Sequence, residues 1–525
     1  MRLRRFLKPG HYLLTLALFG TAMLSPVTAD SQSPPIVGTE QGDLQGRTEQ
    51  GVTSFKGIPF AAPPLDELRW QPPQPAPVWS GIRQSADYGA ICPQPERAAA
   101  AGRRPRRKTH AQSEDCLTLN IWKPDGATEQ SRLPVMVWIH GGAHRLGSGA
   151  FDYYDGTHFA QQGVVLVTLN YRLGLLGFFA HPALTEEAAA DAPLGNYGLM
   201  DQMAALEWVQ QNIARFGGDP DQVTVFGESA GGADTLYLLA NSRAEGLIAR
   251  AIVQSGGGMQ TPGNLQVQES RGVAYAAQLG LPANVAAAAL RALPAEDWIM
   301  AQGDLQGGLG FGPFVDGRFV TEAPWRAFAD GRALDVPLIV GANSNEASVL
   351  KRLATNPQML RGLAGHQYDA LRKAYGDSLD ETEFQRQALG DAIFVAPSRW
   401  VARQAASGQP AYLYYFTYVN SRKRTRADGA NHGSEIPYIF QSWSGTVLER
   451  FMSHEDKAFS DLISACWINF AKQGVPHCPG LDWPAYRPES DIQMVFGPSP
   501  HTAVPQRAAA FDILVGEFEQ RAANK

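Results

Sequence analysis

The chain has 525 residues, of which 44% are hydrophobic, 10% aromatic and 18% charged. This composition excludes an intrinsically disordered chain, because there is enough apolar side chain to offset the conformational entropy lost on folding. Lysine and arginine total 45 against 51 acidic residues, and the net charge of -6 argues against a nucleic-acid surface built on a chain-wide positive field. Four cysteines exclude a dense disulfide scaffold, although one or two bridges fit an oxidising compartment.

The first 29 residues have the three regions of a secretory signal peptide. A basic segment at residues 2–8 precedes the apolar run Tyr12–Leu24, and Val27–Ala29 offers a cleavage site of small residues. A membrane anchor is the less favoured alternative, because the apolar run has 13 residues and a spanning helix needs about 20. We therefore expect residues 1–29 to be removed during export to the periplasm or the medium. Residues 30–525 are expected to form one domain without stable membrane insertion.

The predicted elements, taken in chain order, indicate an α/β fold with a mostly parallel central sheet flanked by helices. Three short strands near the N-terminus predict a small antiparallel layer: Ile36–Thr39, Asp43–Arg47 and Val52–Lys56. Two later apolar runs, Val135–Ile139 and Val164–Leu169, predict strands buried on both faces. Further strands are predicted at Val223–Phe226, Ile252–Gln254, Leu338–Gly341 and Tyr412–Tyr418. Apolar spacings of three and four predict an amphipathic helix over Leu199–Phe216, and a second helix is expected over Phe459–Lys472.

A G-E-S-A-G sequence, Gly227–Gly231, stands directly after a predicted strand and before an apolar helix. In this context the serine lies on a tight strand-to-helix turn, with its hydroxyl exposed and the N-terminus of the helix beside it. A serine hydroxyl is a weak nucleophile at neutral pH, so this interpretation requires a histidine base and an acid that orients it. The pattern predicts Ser229 as a nucleophile.

A second glycine-containing turn, which begins at His140, follows the strand predicted before it and has the location of an oxyanion-hole loop. We expect the peptide N–H groups of Gly142, Ala143 and Ala230 to stabilise a tetrahedral oxyanion. The spacing of His140 and His144 also raises the alternative of a metal site. The two glycines between them break the helix that such a site needs, and no glutamate follows His140. We therefore expect no metal and no cofactor.

Further motifs occur in a fixed order along the chain: Phe55–Ala61, Ser113–Trp122, Asn170–Gly174, Gly195–Leu199 and Phe216–Gly232. With them the sequence resembles the type-B carboxylesterase family, which includes bacterial para-nitrobenzyl esterases, liver carboxylesterases and cholinesterases. The resemblance spans nearly the whole chain after residue 29. It implies the α/β-hydrolase fold and catalytic residues in the order serine, acid, histidine.

The resemblance assigns the remaining catalytic residues one by one. It implies Glu346, which follows the strand Leu338–Gly341, as the acid and His432 as the base. From the residues alone, Asp428 and Glu435 stay open as alternative acids, and His432 ranks only modestly above the other histidines.

The resemblance also implies a disulfide between Cys92 and Cys116, closing a loop around the basic segment Arg97–His110. That segment is interpreted as a solvated loop tip in preference to a docking patch for an acidic partner. We predict Cys466 to be a buried thiol on the late helix, and a bridge to Cys478 is the less favoured alternative.

Three residues depart from the family pattern. Ala143 replaces a glycine of the oxyanion loop, His144 replaces the aromatic residue that commonly follows it, and Asp234 replaces a hydroxyl residue near the triad acid. One hypothesis is that Asp234 lies against Glu346 and shares a proton with it. Another is that His144 alters acyl preference, with a ring hydrogen-bonded away from the pocket as the equal alternative.

These observations predict an exported serine carboxylesterase that acts on small to medium, mostly uncharged esters, with the ester and water as its partners. The stretch from Cys92 to Cys116 contains no aromatic residue for cation-π binding, so choline esters are not expected as preferred substrates. A specialised hydrolase of feruloyl, tannin-type or mycotoxin esters remains an alternative. A non-catalytic binding homologue is disfavoured because Ser229 is present. The oligomeric state stays open.

Overall fold

The structure, a computed structural model, describes residues 34–95, 110–303, 311–350 and 357–524. From Pro35 onward the chain forms one compact unit. The expected signal peptide and nearly all of the basic segment lie outside the described residues, so both interpretations stay predictions. No helix within the described ranges is long and apolar enough to cross a membrane.

The described part of the chain contains fourteen strands, most of which overlap strands predicted from the sequence. They are β1 (Ile36–Gly38), β2 (Asp43–Gln45), β3 (Arg47–Glu49), β4 (Val52–Pro59), β5 (Ile82–Gln84), β6 (Thr118–Pro124), β7 (Leu133–Ile139), β8 (Val165–Leu169), β9 (Gly218–Glu228), β10 (Arg250–Gln254), β11 (Leu338–Asn343), β12 (Ala411–Phe416), β13 (Gln493–Phe496) and β14 (His501–Ala503).

Eleven strands form the central sheet, in the order β14-β13-β12-β11-β10-β9-β7-β8-β6-β4-β3. The strands from β8 across to β13 pair in parallel, and antiparallel strands lie at both ends. The predicted α/β-hydrolase architecture is confirmed. A separate sheet of β1, β2 and β5 contains one antiparallel and one parallel pair. The segment predicted as its third strand, Val52–Lys56, belongs to the central sheet because β4 pairs with the buried strand β6.

Helices lie between the strands along the chain. They are α1 (Thr157–Gln161), α2 (Gly174–Gly177), α3 (Pro182–Glu187), α4 (Tyr197–Asn212), α5 (Ala230–Leu239), α6 (Leu265–Gln278), α7 (Ala287–Arg291), α8 (Ala295–Ala301), α9 (Pro324–Ala329), α10 (Pro357–Ala364), α11 (Tyr368–Ala374), α12 (Glu381–Gly390), α13 (Ala396–Ala405), α14 (Ile436–Phe440), α15 (His454–Gln473) and α16 (Ala508–Ala523).

Both faces of the central sheet are buried. Side chains alternate between the faces of a strand, and along β7 the residues Val135, Val137 and Ile139 join one hydrophobic core while Met136 and Trp138 join the other. This double burial explains why the central strands have uninterrupted apolar sequences.

Helix α4 is more buried than an amphipathic helix was expected to be. Its polar residues Asp201 and Gln202 are buried, and each has a partner. Asp201 accepts hydrogen bonds from Arg172 Nε at 2.9 Å and Nη2 at 2.7 Å, and Gln202 donates to Asp234. Burial of polar groups is tolerated when they are paired in this way, and these partners come from distant segments.

Helix α15 begins at His454, earlier than predicted, because Ser453 and Asp456 form a capping box at its N-terminus. Near its other end Cys466 is bonded to Cys478, with Cα atoms 4.6 Å apart. The prediction of a buried thiol is therefore wrong. The chain reverses after the helix ends and carries Cys478 back alongside the last turns. The other predicted bridge, Cys92–Cys116, is confirmed.

Candidate active site

The carboxyl ends of parallel strands meet at one edge of the sheet, and the predicted site residues follow four of these strands. The oxyanion loop follows β7, Ser229 follows β9, Glu346 follows β11 and His432 follows β12. The topology therefore carries distant parts of the chain to one edge.

Ser229 occupies the turn between β9 and α5 with φ 58° and ψ −121°, a left-handed backbone that non-glycine residues rarely adopt. Such strain costs about 1–3 kcal/mol and persists only where the surroundings hold it. Main-chain contacts provide that hold. A Cβ added at Gly231 would lie 2.0 Å from the carbonyl oxygen of Ile139, and one at Gly141 would lie 2.6 Å from the carbonyl oxygen of Glu228. The loop after β7 therefore contacts the nucleophile turn directly.

Three peptide N–H groups are available beside Ser229. Within the part of the chain that the structure describes, the amides of Gly142, Ala143 and Ala230 donate no hydrogen bond to other protein groups. Gly142 and Ala143 lie on the loop that contacts the nucleophile turn, and Ala230 begins α5. Unpaired amides at a helix N-terminus and its neighbouring loop can bind an oxygen that carries negative charge.

Glu346 and His432 are in direct contact, through Glu346 Oε2 and His432 Nδ1. The other carboxylate oxygen accepts hydrogen bonds from the Asn343 amide and the Ser255 hydroxyl, each at 2.6 Å. The side chain of Glu346 is 1% exposed and that of His432 is 8% exposed. Three donors thus fix the acid, and the acid in turn fixes the orientation of the imidazole.

The second ring nitrogen of His432 is open. Nε2 makes no hydrogen bond with the described residues, and it lies 3.1 Å from Oε1 of Glu228 without a well-directed bond. Glu228 is the residue directly before Ser229, whose hydroxyl also makes no hydrogen bond within the described ranges. A catalytic base often lacks its aligned hydrogen bond until substrate is bound. Within the described ranges, Nε2 of His432 and the Ser229 hydroxyl are therefore both without a hydrogen-bond partner.

Three buried carboxylates surround this imidazole. Burial, and then the nearby charges of Glu435 and Glu346, raise the pKa of Glu228 to about 8, although the charge of His432 opposes the shift. Burial opposes the charged form of His432, but Glu228 and Glu346 outweigh it and raise the pKa of His432 to about 10. The pKa of Glu435 is also raised by burial. Charge on the imidazole therefore depends strongly on charge at Glu228.

The alternative acids have other surroundings. Glu435 accepts hydrogen bonds from Gln254, at 2.9 Å, and from the side chain of Asn343, and Asp428 is exposed. Of these carboxylates, only that of Glu346 contacts Nδ1 of His432.

Sequence reasoning missed two contributors to this cluster, Ser255 and the Glu228 carboxylate. Ser255 directly follows β10, and Glu228 ends β9. Each residue lies at the carboxyl end of a predicted parallel strand, and that position could have indicated a place in the site.

The hypothesis that Asp234 lies against Glu346 is wrong. The hydroxyl beside Glu346 is that of Ser255. Asp234, one turn along α5 from Ala230, instead faces α4 and the oxyanion loop. It accepts a hydrogen bond from Gln202 at 2.6 Å and pairs with His144 Nε2 at 2.8 Å.

Among the described residues, no group of three or more histidine, cysteine or acidic side chains is arranged to hold a metal ion. His140, one of the two histidines considered for a metal, stacks on Tyr171 at a ring separation of 4.4 Å. Burial lowers the pKa of His140 to about 4, so this ring is neutral near pH 7.

A cavity of about 340 Å³ lies beside the oxyanion loop. Two of its lining residues contact His144: the Phe178 ring at 5.0 Å and the Phe311 carbonyl at 3.3 Å from Nδ1. The lining combines aromatic groups with polar groups of α6, including Arg271. Ser229 does not line this cavity.

The chain is similar to known proteins over most of its length. The family model described as "Carboxylesterase family" matches residues 33–511. The chain is 38% identical to the para-nitrobenzyl esterase of Bacillus subtilis (strain 168), over 87% of this chain and 93% of the relative. It is 36% identical to the fumonisin B1 esterase of Sphingopyxis macrogoltabida, over 92% of this chain and 90% of the relative.

Solved structures of esterases superpose on this chain. A PNB esterase structure superposes with a TM-score of 0.80 and 34% identity, covering 91% of this chain and 99% of the other. The Geobacillus stearothermophilus carboxylesterase EST55 superposes with a TM-score of 0.77 and 32% identity at the same coverage. The chain therefore belongs to the carboxylesterase family, and its fold and family are those of carboxylic-ester hydrolases.

Proposed function

We propose that this protein is an exported serine carboxylesterase that works through a Ser229–Glu346–His432 triad and an acyl-enzyme intermediate. The observation that carries the proposal is the fixed Glu346–His432 pair, whose open Nε2 lies against the residue preceding Ser229. The family membership established above supports the same chemistry.

The reaction proceeds in two displacements. Ser229 Oγ attacks the ester carbonyl carbon while His432 Nε2 takes the hydroxyl proton, and Glu346 stabilises the imidazolium that forms. The amides of Gly142, Ala143 and Ala230 bind the oxyanion, each such donor typically accelerating the reaction by about 10²- to 10³-fold. The alcohol leaves with the proton from His432. Water, activated by the same nitrogen, then attacks the acyl-enzyme and releases the acid.

Export is supported by the N-terminal sequence and by the two disulfides, Cys92–Cys116 and Cys466–Cys478. Disulfides form and persist mainly in oxidising compartments. N-terminal sequencing of the protein recovered outside the cytoplasm is expected to begin at Asp30.

Covalent labelling tests the catalytic assignment. A fluorophosphonate probe is expected to add one label per chain at Ser229, and Ser229→Ala is expected to lose both label and esterase activity. Ser242→Ala, on a turn after α5, is the matched control and should keep both. Labelling that persists in Ser229→Ala would refute the assignment.

A specialised ester hydrolase is the second candidate, because the cavity beside the oxyanion loop combines aromatic walls with Arg271 and two glutamines of α6. An arginine there suits an ester that carries an acidic group. Chromogenic esters of increasing acyl and alcohol size, with and without a free carboxylate, separate the candidates. A general carboxylesterase prefers uncharged esters, whereas a preference for carboxylate esters that Arg271→Gln removes would favour the specialised enzyme.

A further inference from the structure

A second imidazole–carboxylate pair, His144 and Asp234, joins the two halves of the oxyanion site. His144 directly follows Ala143 on the loop, and Asp234 lies one turn along α5 from Ala230. Their contact, His144 Nε2 to Asp234 Oδ1, measures 2.8 Å. It therefore ties the segment that supplies two amides to the helix that supplies the third.

The oxyanion loop needs such a support. Ala143 and His144 are consecutive left-handed residues, with φ 55° and 56°, a conformation that L-residues adopt only where their surroundings hold it. The backbone provides part of the hold, since the Gly174 amide donates to the His144 carbonyl at 2.6 Å. That bond joins the loop to α2. The His144 side chain adds a hydrogen bond that joins the loop to α5.

The pair is itself held in place on every side. Asp234 is fully buried, and its second oxygen accepts from Gln202 of α4 at 2.6 Å. His144 is 7% exposed, its Nδ1 lies 3.3 Å from the Phe311 carbonyl and its ring packs edge-on to Phe178. Both ring nitrogens thus lie against oxygen atoms of other segments.

We propose that His144 is a positioning residue for the oxyanion hole, acting through Asp234 to hold the Gly142 and Ala143 amides in register with that of Ala230. The inference rests on the proposed function. The His144 side chain acts through the backbone of its own loop, which binds the oxyanion. It should therefore stabilise the transition state more than it strengthens binding of the ester.

Kinetics with p-nitrophenyl butyrate test the inference. His144→Ala is expected to lower kcat by about 10- to 100-fold, the scale of a misplaced catalytic group, while KM changes by less than about threefold. His144→Gln, which keeps one donor toward Asp234, should recover part of the loss. Asp234→Asn, which keeps an acceptor for Nε2 without the charge, should lose less than His144→Ala. If His144→Ala fails to fold, the last two variants carry the test.

A trifluoromethyl ketone inhibitor supplies a readout that a merely structural role would not move, because its adduct places a charged oxygen in the oxyanion hole. Its inhibition constant should weaken in parallel with kcat. His158→Ala is the matched control. This half-buried imidazole of α1 bonds Ser464 of α15 at 2.8 Å, outside the oxyanion loop. We expect it to lower the melting temperature while leaving kcat and inhibition unchanged.

Equal losses of kcat in His144→Ala and His158→Ala, or unchanged ketone inhibition in His144→Ala, would overturn the inference. A double-mutant cycle adds a second criterion, because two residues that act as one unit must be strongly non-additive. If His144→Ala and Asp234→Asn multiply their effects on kcat, they do not act through each other. Activity that survives Ser229→Ala would instead refute the proposed function, so the two failures are distinguishable.

Discussion

The two imidazole–carboxylate pairs at the carboxyl edge of the sheet differ in what the second ring nitrogen does. Glu346 holds one nitrogen of His432 and leaves Nε2 without a hydrogen bond within the described ranges. Asp234 and the Phe311 carbonyl occupy both nitrogens of His144. A carboxylate partner is therefore common to both rings. The open nitrogen distinguishes His432, the proposed base, from His144, the proposed positioning residue.

Removal of the open nitrogen should have the largest effect. His432→Ala is expected to lower kcat by about 10⁴-fold or more, as loss of a general base does in serine hydrolases. Steady-state kinetics beside His144→Ala measure the comparison directly. Similar losses in the two variants would show that the rings do not play different parts.

Glu346→Gln should rank second, with kcat lowered by about 10³- to 10⁴-fold because the neutral amide no longer stabilises the imidazolium or its tautomer. The Ser255 and Asn343 donors that face Glu346 Oε1 limit how the amide can turn. Circular dichroism and a melting curve would establish that the variant is folded. Loss of less than tenfold would mean that another carboxylate serves as the acid.

Glu228→Gln should change the pH profile more than the maximal rate. His432 accepts a proton only when it is neutral, so its raised pKa shifts the acidic limb of kcat/KM to higher pH. Glu228 is the first of the three carboxylates that raise this pKa, and the glutamine amide carries no charge. The acidic limb is therefore expected to move to lower pH. An acidic limb that stays in place would remove Glu228 from the electrostatics of the site.

Ser255→Ala should have the smallest effect, because the Asn343 amide still donates to the same oxygen of Glu346. A lost hydrogen bond to a buried charged group costs about 1.5–3 kcal/mol of stability, and we expect kcat to fall by about tenfold or less. Ser398→Ala is the matched control, since this buried hydroxyl donates to the Phe394 carbonyl at 2.8 Å. It should lower stability alone. A kcat that Ser255→Ala leaves unchanged would assign Ser255 to folding only.

The sequence was most informative about the buried strands and about the family motifs that follow them. Apolar runs predicted the central strands because residues on both faces of β7 and its neighbours are buried. The resemblance then indicated Glu346 and His432, which the structure brings into contact although 86 positions separate them.

Contacts that depend on how helices face each other were not predictable. The partner of Asp234 is set by the rotation of α5 relative to α4 and the oxyanion loop, so a wrong neighbour was assigned to it. Similarly, Cys478 approaches Cys466 only because the chain reverses after α15, and no periodic pattern encodes that reversal.

The contacts at Gly231 and Gly141 have a consequence for engineering. At both positions neighbouring atoms, with a main-chain carbonyl oxygen among them, fill the space that any side chain would need. A saturation library should therefore find almost no accepted replacement there, whatever ester is used for selection. Diversity aimed at new substrates is better placed at Phe178, Phe311 and Arg271, which line the cavity beside the oxyanion loop.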